Sequence, residues 1–380
     1  MKMIFAPDSF KGSLSAVEAA NILREQALRL FPEAACICVP AADGGEGTID
    51  ALLSVSGGER RVETVEGPMG IPVRAEYGVL PDGTAVIEMA QASGLPLVAP
   101  EARNPLEASS CGTGELIVKA LNDGARRLLI GIGGSATNDG GMGMLRAMGA
   151  RFLDAGGTAL RGCGADLERV AQAELSGLHP ALSQAEITVI CDVSNPLLGK
   201  NGATAIYGPQ KGATPAMLER LETGMRNYAQ VMDMVLKRPF AGFSGAGAAG
   251  GMGAALGGVL GAAMKPGIEA VLDAANFDAL LRDCSLVITG EGRIDRQSVS
   301  FGKVPAGVAK RCQKFDVPVI ALVGGIGEGA QALYDVAESS IMSIIPAPMD
   351  LEQAMQNAPK LFADAAERMF RMLRIGGLLK

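Results

Sequence analysis

Arg127-Leu-Leu-Ile-Gly-Ile-Gly-Gly-Ser-Ala-Thr-Asn-Asp-Gly-Gly141 is the stretch around which this chain is organised. Its first part is a short apolar run typical of a buried strand, and a glycine-rich loop carrying Ser135, Asn138 and Asp139 follows. Glycines let backbone N–H groups approach an anion, while the polar side chains add hydrogen bonds and charge. The loop therefore indicates a site for a polyanion, although one such loop alone could equally be a tight turn at a helix start.

The composition is typical of a large α/β protein that binds a small molecule. At 380 residues the chain exceeds the size at which one core usually keeps growing, so we expect two domains. Aromatic residues are few and Trp is absent, so the core must consist of Ala, Val, Ile, Leu and Met. A net charge of −7 disfavours a nucleic-acid surface, which needs a basic stripe.

Several features favour a cytoplasmic location. The seven cysteines are scattered without a CxxC pair, which is typical of reduced thiols. The apolar run at the N-terminus is too short for a signal peptide. The segment 242–264 is uncharged and long enough to span a membrane, but its glycine and alanine content favours a closely packed helix preceded by a flexible loop. We therefore expect no membrane partner.

Polar loops follow other predicted strands. Lys2–Pro7 is predicted as the first strand, and Ser15 and Glu18 form a capping box that opens a helix. Ligands of open α/β sheets bind at the carboxyl ends of the strands. The loop between these two elements therefore supplies four candidate site residues, Asp8, Ser9, Lys11 and Gly12.

A second predicted strand, 36–39, leads into a glycine-rich turn that carries Asp43 and Glu46. Carboxylates held where backbone amides converge suit Mg²⁺ or the orientation of a substrate hydroxyl. The alternative is that they only complement the dipole of the following helix. Two such loops at neighbouring strand ends favour a functional site.

Two later predicted strands end in the same way. Asp192 and Asn195 follow the strand 186–191, and Arg293 and Asp295 follow the strand 285–289. The single histidine, His179, excludes a multi-histidine zinc site. General acid–base chemistry is therefore expected to depend on Asp, Glu or Lys.

The organisation of the chain changes after about residue 61. Two extended runs, 73–80 and 84–88, flank Asp82-Gly83, which is a hairpin signal. Alternating strands and helices resume near residue 285. The sequence thus predicts a doubly wound domain made of residues 1–65 plus 285–380, interrupted by an inserted α/β domain, residues 66–284.

Five of these segments together are similar to the bacterial glycerate kinase family, and they lie in the family's order along the whole chain. They are Ala6-Pro-Asp-Ser-Phe-Lys-Gly-Ser13, Ala42-Asp-Gly-Gly-Glu-Gly47, Gly131-Ile-Gly-Gly-Ser-Ala-Thr-Asn-Asp-Gly-Gly141, Cys191-Asp-Val-Ser-Asn-Pro196 and Thr289-Gly-Glu-Gly-Arg-Ile-Asp295.

The resemblance implies a fold, an activity and a setting. The fold is a flavodoxin-like α/β domain with a second α/β domain inserted, and the active site lies in the cleft between them. The activity is ATP-dependent phosphorylation of D-glycerate with Mg²⁺, usually to 2-phosphoglycerate, although the 3-phospho product has also been ascribed to members. The setting is cytoplasmic catabolism of glycerate, glyoxylate or sugar acids, by a monomer or homodimer.

Hypotheses on individual residues follow from their charge. Lys11 and Arg293 are predicted to bind the transferring phosphate or the glycerate carboxylate, and Asp192 to orient or deprotonate the acceptor hydroxyl. Candidates for binding substrate or phosphate are Asp8, Ser9, Gly12, Gly133, Gly134, Ser135, Asn138 and Asn195. Candidates for binding Mg²⁺ are Asp43, Glu46, Asp139 and Asp295.

Two other classes of protein stay open on sequence alone. Gly131-x-Gly133-x-x-Ala136 after a strand, with Asp154 further on, matches a nicotinamide-dependent oxidoreductase, but no Tyr-x-x-x-Lys accompanies it. A non-catalytic protein that binds sugar acids is the third class, and it leaves the many acidic loops unexplained.

Overall fold

The computed structural model describes residues 1–41, 45, 47–300 and 302–377. The chain forms two compact units. The first combines Met1–Asp43, Asp50–Gly57 and Pro266–Lys380, and the second combines Gly44–Ile49 and Gly58–Lys265. The first unit has a parallel sheet and the second unit has a mixed sheet, so the predicted α/β class is confirmed. The domain boundaries predicted from the sequence lie between residues 65 and 66 and between residues 284 and 285.

The strands are β1 (Lys2–Pro7), β2 (Ala35–Cys38), β3 (Glu59–Glu66), β4 (Pro72–Val79), β5 (Thr84–Glu88), β6 (Arg127–Gly131), β7 (Arg151–Leu153), β8 (Gln172–Glu174), β9 (Glu186–Ile190), β10 (Ala263–Lys265), β11 (Leu286–Gly290), β12 (Arg293–Ile294), β13 (Val319–Val323), β14 (Gly325–Ile326) and β15 (Ser339–Ser343). The helices are α1 (Ala16–Leu30), α2 (Thr48–Ser56), α3 (Ala90–Ser93), α4 (Cys111–Asn122), α5 (Met142–Ala147), α6 (Ala203–Tyr207), α7 (Pro215–Leu236), α8 (Ala248–Ala254), α9 (Gly267–Ala274), α10 (Phe277–Leu281), α11 (Arg296–Ser300), α12 (Val304–Gln313), α13 (Leu351–Gln356) and α14 (Ala358–Gly377).

The first unit is a doubly wound sheet with the strand order β2-β1-β11-β13-β15, all parallel. Counted within the unit this order is 2-1-3-4-5, the flavodoxin-like order. Side chains alternate across the sheet. Met3 and Phe5 pack on one face with α1 and α14, and Ile4 packs on the other with α9, α10 and α12.

Local sequence signals position the helices of this unit. The predicted capping box at α1 is present, because the Ser15 Oγ accepts from the Glu18 N–H at 3.2 Å and a Glu18 carboxylate oxygen accepts from the Ser15 N–H at 3.0 Å. Asp350 caps α13 in the same way, accepting from the Gln353 N–H at 2.7 Å. The helices α9 and α10 are separated at Asn276, whose φ is 50°.

The second unit has a six-stranded sheet in the order β10-β9-β6-β5-β4-β3, in which β4 runs antiparallel to both neighbours. The predicted hairpin joins β4 to β5, with the Gly83 N–H donating to the Leu80 carbonyl at 2.9 Å. Glu88, Gly131 and Ile190 are register partners at the ends of β5, β6 and β9. The loops after these three parallel strands therefore leave the sheet at one edge.

The segment 242–264 differs from the predicted flexible loop followed by one closely packed helix. It contains the short helix α8, a π-helical turn at Ala255–Val259 and strand β10, which pairs with β9. Ala249, Gly250 and Gly251 have positive φ, which interrupts helical geometry. In the part of the chain that the structure describes, no helix is long and apolar enough to cross a membrane.

Candidate active site

A cavity of about 610 Å³ lies at the carboxyl edge of the first unit's sheet. The loops after β1, β11, β13 and β15 line it, so it includes the point between β1 and β11 where the strand order reverses. Open α/β sheets bind their ligands at such a point. Four residues predicted from the sequence line this cavity, Asp8, Ser9, Lys11 and Arg293.

The loop after β1 is anchored to the neighbouring strand. The Asp8 N–H donates to the Gly290 carbonyl at 2.8 Å, and the Asp8 Oδ1 accepts from the Ser9 N–H at 2.7 Å. Asp8 is buried, whereas Lys11 is exposed on the cavity wall. The loop thus fixes its carboxylate and leaves its cation in contact with solvent.

Arg293 and Asp295 follow β11. The Arg293 side chain is 72% exposed, and its Nε lies 3.8 Å from the Asp295 Oδ2. The Asp295 Oδ1 accepts from the N–H groups of Gln297 and Ser298, both at 3.0 Å, and these bonds lower the pKa of Asp295. Asp295 caps the start of α11. Capping uses only the Oδ1 atom, and the role of Asp295 in metal binding stays a prediction.

Glu291 also lines the cavity, although it was not among the site residues predicted from the sequence. It is 6% exposed, and within the described residues its Oε1 has no hydrogen-bond partner. Burial, with Asp8 and Asp295 adding to it, raises the pKa of Glu291 to about 7, although Ser298 and Lys303 oppose the shift. The available signal was a carboxylate between two glycines directly after a buried strand.

We expect Glu291 to make stability depend on pH. Its pKa rises from 4.5 to about 7 on folding, so the native state binds more protons than the unfolded state in this interval. The free energy of unfolding should therefore fall as pH rises from 4.5 to 7, by at most about 3 kcal/mol from this group. Glu291→Gln should remove that part of the slope in urea unfolding at several pH values. The control is Glu25→Gln at an exposed position, and equal slopes in both variants would refute the argument.

In the second unit, the glycine-rich loop after β6 turns two glycines towards solvent. Gly133 is half-buried and Gly134 exposed, whereas Ser135 is buried. The Gly134 carbonyl accepts from the Leu95 N–H at 2.8 Å, and Ser135 forms a β-bridge with Gly94. The backbone at Gly133 and Gly134 is thus the part of the loop that a ligand could approach.

The buried Lys211 donates two hydrogen bonds to this loop. The Lys211 Nζ donates to the Ser135 Oγ at 2.8 Å and to the Thr137 carbonyl at 2.6 Å, and the residue is 1% exposed. Burial lowers the pKa of Lys211 to about 7, against the opposing effect of Asp139. Lys211 was not predicted from the sequence. It bonds to Ser135, 76 positions away, and a contact over that separation leaves no pattern in the local sequence.

Asp139 closes the other end of the loop and is fully buried. Its Oδ2 accepts from the N–H and the hydroxyl of Ser110, at 2.8 and 2.7 Å, and from the Gly143 N–H, while its Oδ1 accepts from the Gly141 N–H. Burial raises the pKa of Asp139, and these hydrogen bonds oppose the rise. Because four donors occupy its oxygens, Asp139 anchors the loop in this structure, and its role in metal binding stays a prediction.

Gly140 and Asn138 lie where the loop packs against the core of the second unit. Gly140 has φ of 64°, and a Cβ there would lie 2.6 Å from Cε1 of the buried Tyr228. The Asn138 Nδ2 donates to the Thr204 Oγ1 at 3.0 Å, and among the described residues its Oδ1 has no partner. Asn138 thus braces the loop instead of facing solvent.

We expect Lys211→Met to destabilise the second unit. The change leaves the Ser135 hydroxyl and the Thr137 carbonyl without their donor in a dry site, at about 1–3 kcal/mol each. The predicted loss in the free energy of unfolding is about 2–5 kcal/mol, with faster amide hydrogen exchange around residues 134–141. Lys200→Met, at an exposed position, is the control. Unchanged exchange in the Lys211 variant would contradict this role.

The loop after β9 places its two predicted residues, Asp192 and Asn195, in different surroundings. Asp192 is exposed. The Asn195 Oδ1 accepts from the Tyr207 hydroxyl at 2.7 Å, and its Nδ2 donates to the Asn201 carbonyl at 2.8 Å. Both ends of the Asn195 amide are used within the protein, so Asn195 braces the loop, and its contact with substrate stays a prediction.

The geometry does not support the oxidoreductase alternative. Such a site needs a helix starting within the glycine motif, but α5 begins only at Met142. Asp154, the supposed ribose ligand, accepts from the N–H groups of Gly156 and Thr158 in its own turn.

Two predicted metal ligands, Asp43 and Glu46, lie outside the described residues. Among residues 1–41, 45, 47–300 and 302–377, no group of three or more His, Cys, Asp or Glu is placed to hold a metal ion.

The fold and the site together define an α/β phosphotransferase, with cations and buried carboxylates at the carboxyl edge of a doubly wound sheet. The model of the glycerate kinase family matches residues 3–374, and the chain belongs to that family. This confirms the resemblance seen in the sequence motifs. It also confirms the predicted enzyme class, which transfers phosphate to an alcohol.

Relatives of known name cover nearly the whole chain. The chain is 47% identical to the glycerate kinase of Bacillus subtilis strain 168, over 99% of this chain and 98% of the relative. It is 46% identical to the glycerate 2-kinase of Escherichia coli K12, over 99% of each. A crystal structure of a glycerate kinase 2 candidate from Salmonella typhimurium LT2 is 45% identical and superposes with a TM-score of 0.89, covering 100% of this chain and 99% of that one.

Proposed function

We propose that the protein transfers the γ-phosphoryl group of ATP to D-glycerate and forms 2-phospho-D-glycerate. A kinase takes ATP as its co-substrate, and membership of the family supports glycerate as the acceptor. The name of the Escherichia coli relative, glycerate 2-kinase, supports the 2-position. The structural observation that carries the proposal is the cavity of the first unit, where Lys11, Arg293 and Lys303 meet two buried carboxylates.

Phosphoryl transfer depends mainly on positioning and charge stabilisation, and these residues are suited to both. Lys11 and Arg293 would bind phosphate oxygens or the glycerate carboxylate. Arg293 can bind two oxygens at once through its planar guanidinium, whereas Lys11 acts as a point charge. Lys303, at the start of α12, adds a third cation to the wall.

Mg²⁺ would neutralise charge on the β- and γ-phosphates. A magnesium–nucleotide complex needs only one or two protein carboxylates, since phosphates and water complete its coordination. The donor type is therefore available in the acidic loops of this chain. Asp43, Glu46, Asp139 and Asp295 stay the predicted ligands. We expect chelation with EDTA to abolish turnover and added Mg²⁺ to restore it.

Asp192 is the proposed partner of the acceptor hydroxyl. Its exposure after β9 leaves it accessible to a substrate, and a carboxylate there could accept the proton that the hydroxyl loses. All seven cysteines are free, which supports the proposed cytoplasmic location. A monomer or homodimer stays the prediction for the oligomeric state.

The function is tested by ³¹P NMR of the purified protein with MgATP and D-glycerate. A new phosphomonoester signal with loss of ATP is the expected result, and its proton coupling distinguishes attachment at C2 from attachment at C3. Parallel samples without glycerate, or with L-glycerate, control for ATP hydrolysis and acceptor specificity. An unchanged ATP spectrum with D-glycerate would overturn the proposal.

A further inference from the structure

We infer that ATP binds in the cavity of the first unit, with its purine base against an apolar wall formed after β15. This inference rests on the proposed function, because it assigns one of the two substrates to a place. The apolar wall consists of Ile344, Ile345, Met349, Leu351, Ala354 and Met355.

The wall is built by one continuous segment. The Ile344 N–H donates to the Val323 carbonyl at 2.8 Å, which ties the start of the segment to β13. The Asp350 cap then fixes the start of α13, whose residues Leu351 and Met355 face the cavity. The start of the wall is therefore tied to β13, and the start of α13 within it is fixed by a side-chain cap.

The wall also exposes more apolar surface than a closed core would. Leu351 is 75% exposed and Met355 is 37% exposed, both at the cavity. Covering large apolar side chains is favourable by about 25 cal/mol per Å². A ligand with an apolar face would gain binding energy there.

The other side of the same cavity is cationic. Lys11 lies in the loop after β1, Arg293 in the short strand β12 and Lys303 at the start of α12, and none of these segments contributes to the apolar wall. A nucleoside triphosphate has the same division, with an aromatic base at one end and several negative charges at the other. The volume of about 610 Å³ is within the usual range for pockets that hold ligands of this size.

The two sides meet at Gly12 and Met355. A Cβ on Gly12 would lie 3.1 Å from the Met355 Cε, so the methyl end of Met355 packs against the loop that carries Lys11. A base on the wall would therefore have its phosphates directed along this loop. This continuity matches a single ligand that spans both sides.

D-Glycerate does not use such a wall. It is a three-carbon acid with an oxygen on every carbon, so it has almost no apolar surface to bury. Of the two substrates of the proposed reaction, only the nucleotide matches both sides of the cavity.

The test compares two ligands by isothermal titration calorimetry on the full chain, ADP and inorganic tripolyphosphate. The double variant Leu351→Ala/Met355→Ala should bind ADP at least 10-fold more weakly and tripolyphosphate unchanged, because only ADP carries a base. Lys303→Ala should weaken both ligands. Met234→Ala, which truncates a 69% exposed methionine on α7, is the matched control and should bind both normally.

Steady-state kinetics give the second readout. The double variant should raise KM for ATP by a similar factor and leave KM for D-glycerate unchanged. Normal binding of ADP by the double variant, or a rise in KM for glycerate alone, would overturn the inference. The single variants Leu351→Ala and Met355→Ala retain the test if the double variant unfolds. If ADP binding falls as expected while no acid accepts phosphate, the assignment of the nucleotide stands and the proposed acceptor is wrong.

Discussion

Lys11→Ala is expected to lower kcat/KM for phosphoryl transfer by about 10²–10³-fold. A cation that faces a transferring phosphate in a partly enclosed site stabilises charge that develops in the transition state, and removal of one such group typically has this effect. Arg293→Ala should act in the same direction, and Arg293→Lys should restore only part of the activity, because lysine lacks the bidentate geometry.

Initial rates over a range of ATP and glycerate concentrations measure these losses. Lys310→Ala removes an exposed lysine on α12 of the same unit and should leave the rates unchanged. Turnover at the wild-type level in both Lys11→Ala and Arg293→Ala would exclude the phosphate-binding role.

Asp192→Asn is expected to lower kcat by about 10²–10⁴-fold, the usual contribution of a positioned general acid or base. An amide keeps the shape of the side chain but cannot accept the proton of the hydroxyl, so KM for glycerate should change little. Glu219→Gln, at an exposed position on α7 in the same unit, is the control.

The pH profile of kcat distinguishes proton transfer by Asp192 from a purely structural role. Loss of the wild-type acidic limb of kcat in Asp192→Asn would support proton acceptance, whereas full activity of this variant would refute it. Glu291 would then be the next carboxylate to test as the acceptor's partner, since it lines the cavity of the first unit.

Local sequence patterns were sufficient for much of the fold. The cap at Ser15 depends on contacts within three residues, and it was predicted from the sequence and is present in the structure. The polar loops after β1 and β11 were also predictable, because the carboxyl edge of a parallel sheet is where such loops converge. The family resemblance rested on these same loops.

The role of each carboxylate could not be predicted in this way. Asp139, Asp295 and Glu291 all follow strands in glycine-rich loops, and the sequence gives no means of ranking them. Their surroundings differ. Asp139 accepts from the distant Ser110, Asp295 accepts from the start of the adjacent α11, and among the described residues one oxygen of Glu291 has no partner. Burial and donor count are tertiary properties, so they decide roles that residue type leaves open.

The order of β1 and its neighbours also has a consequence for synthesis on the ribosome. β1 lies between β2 and β11, and Phe5 is paired with both Cys38 and Ile288. Translation proceeds at about 5–20 residues per second, so β1 waits on the order of 10–50 s for its second neighbour. The six strands of the other sheet all lie within 59–265 and can pair in the meantime. Until residue 290 has emerged, β1 therefore has one unpaired edge, and an unpaired edge can pair with the wrong strand or with another chain.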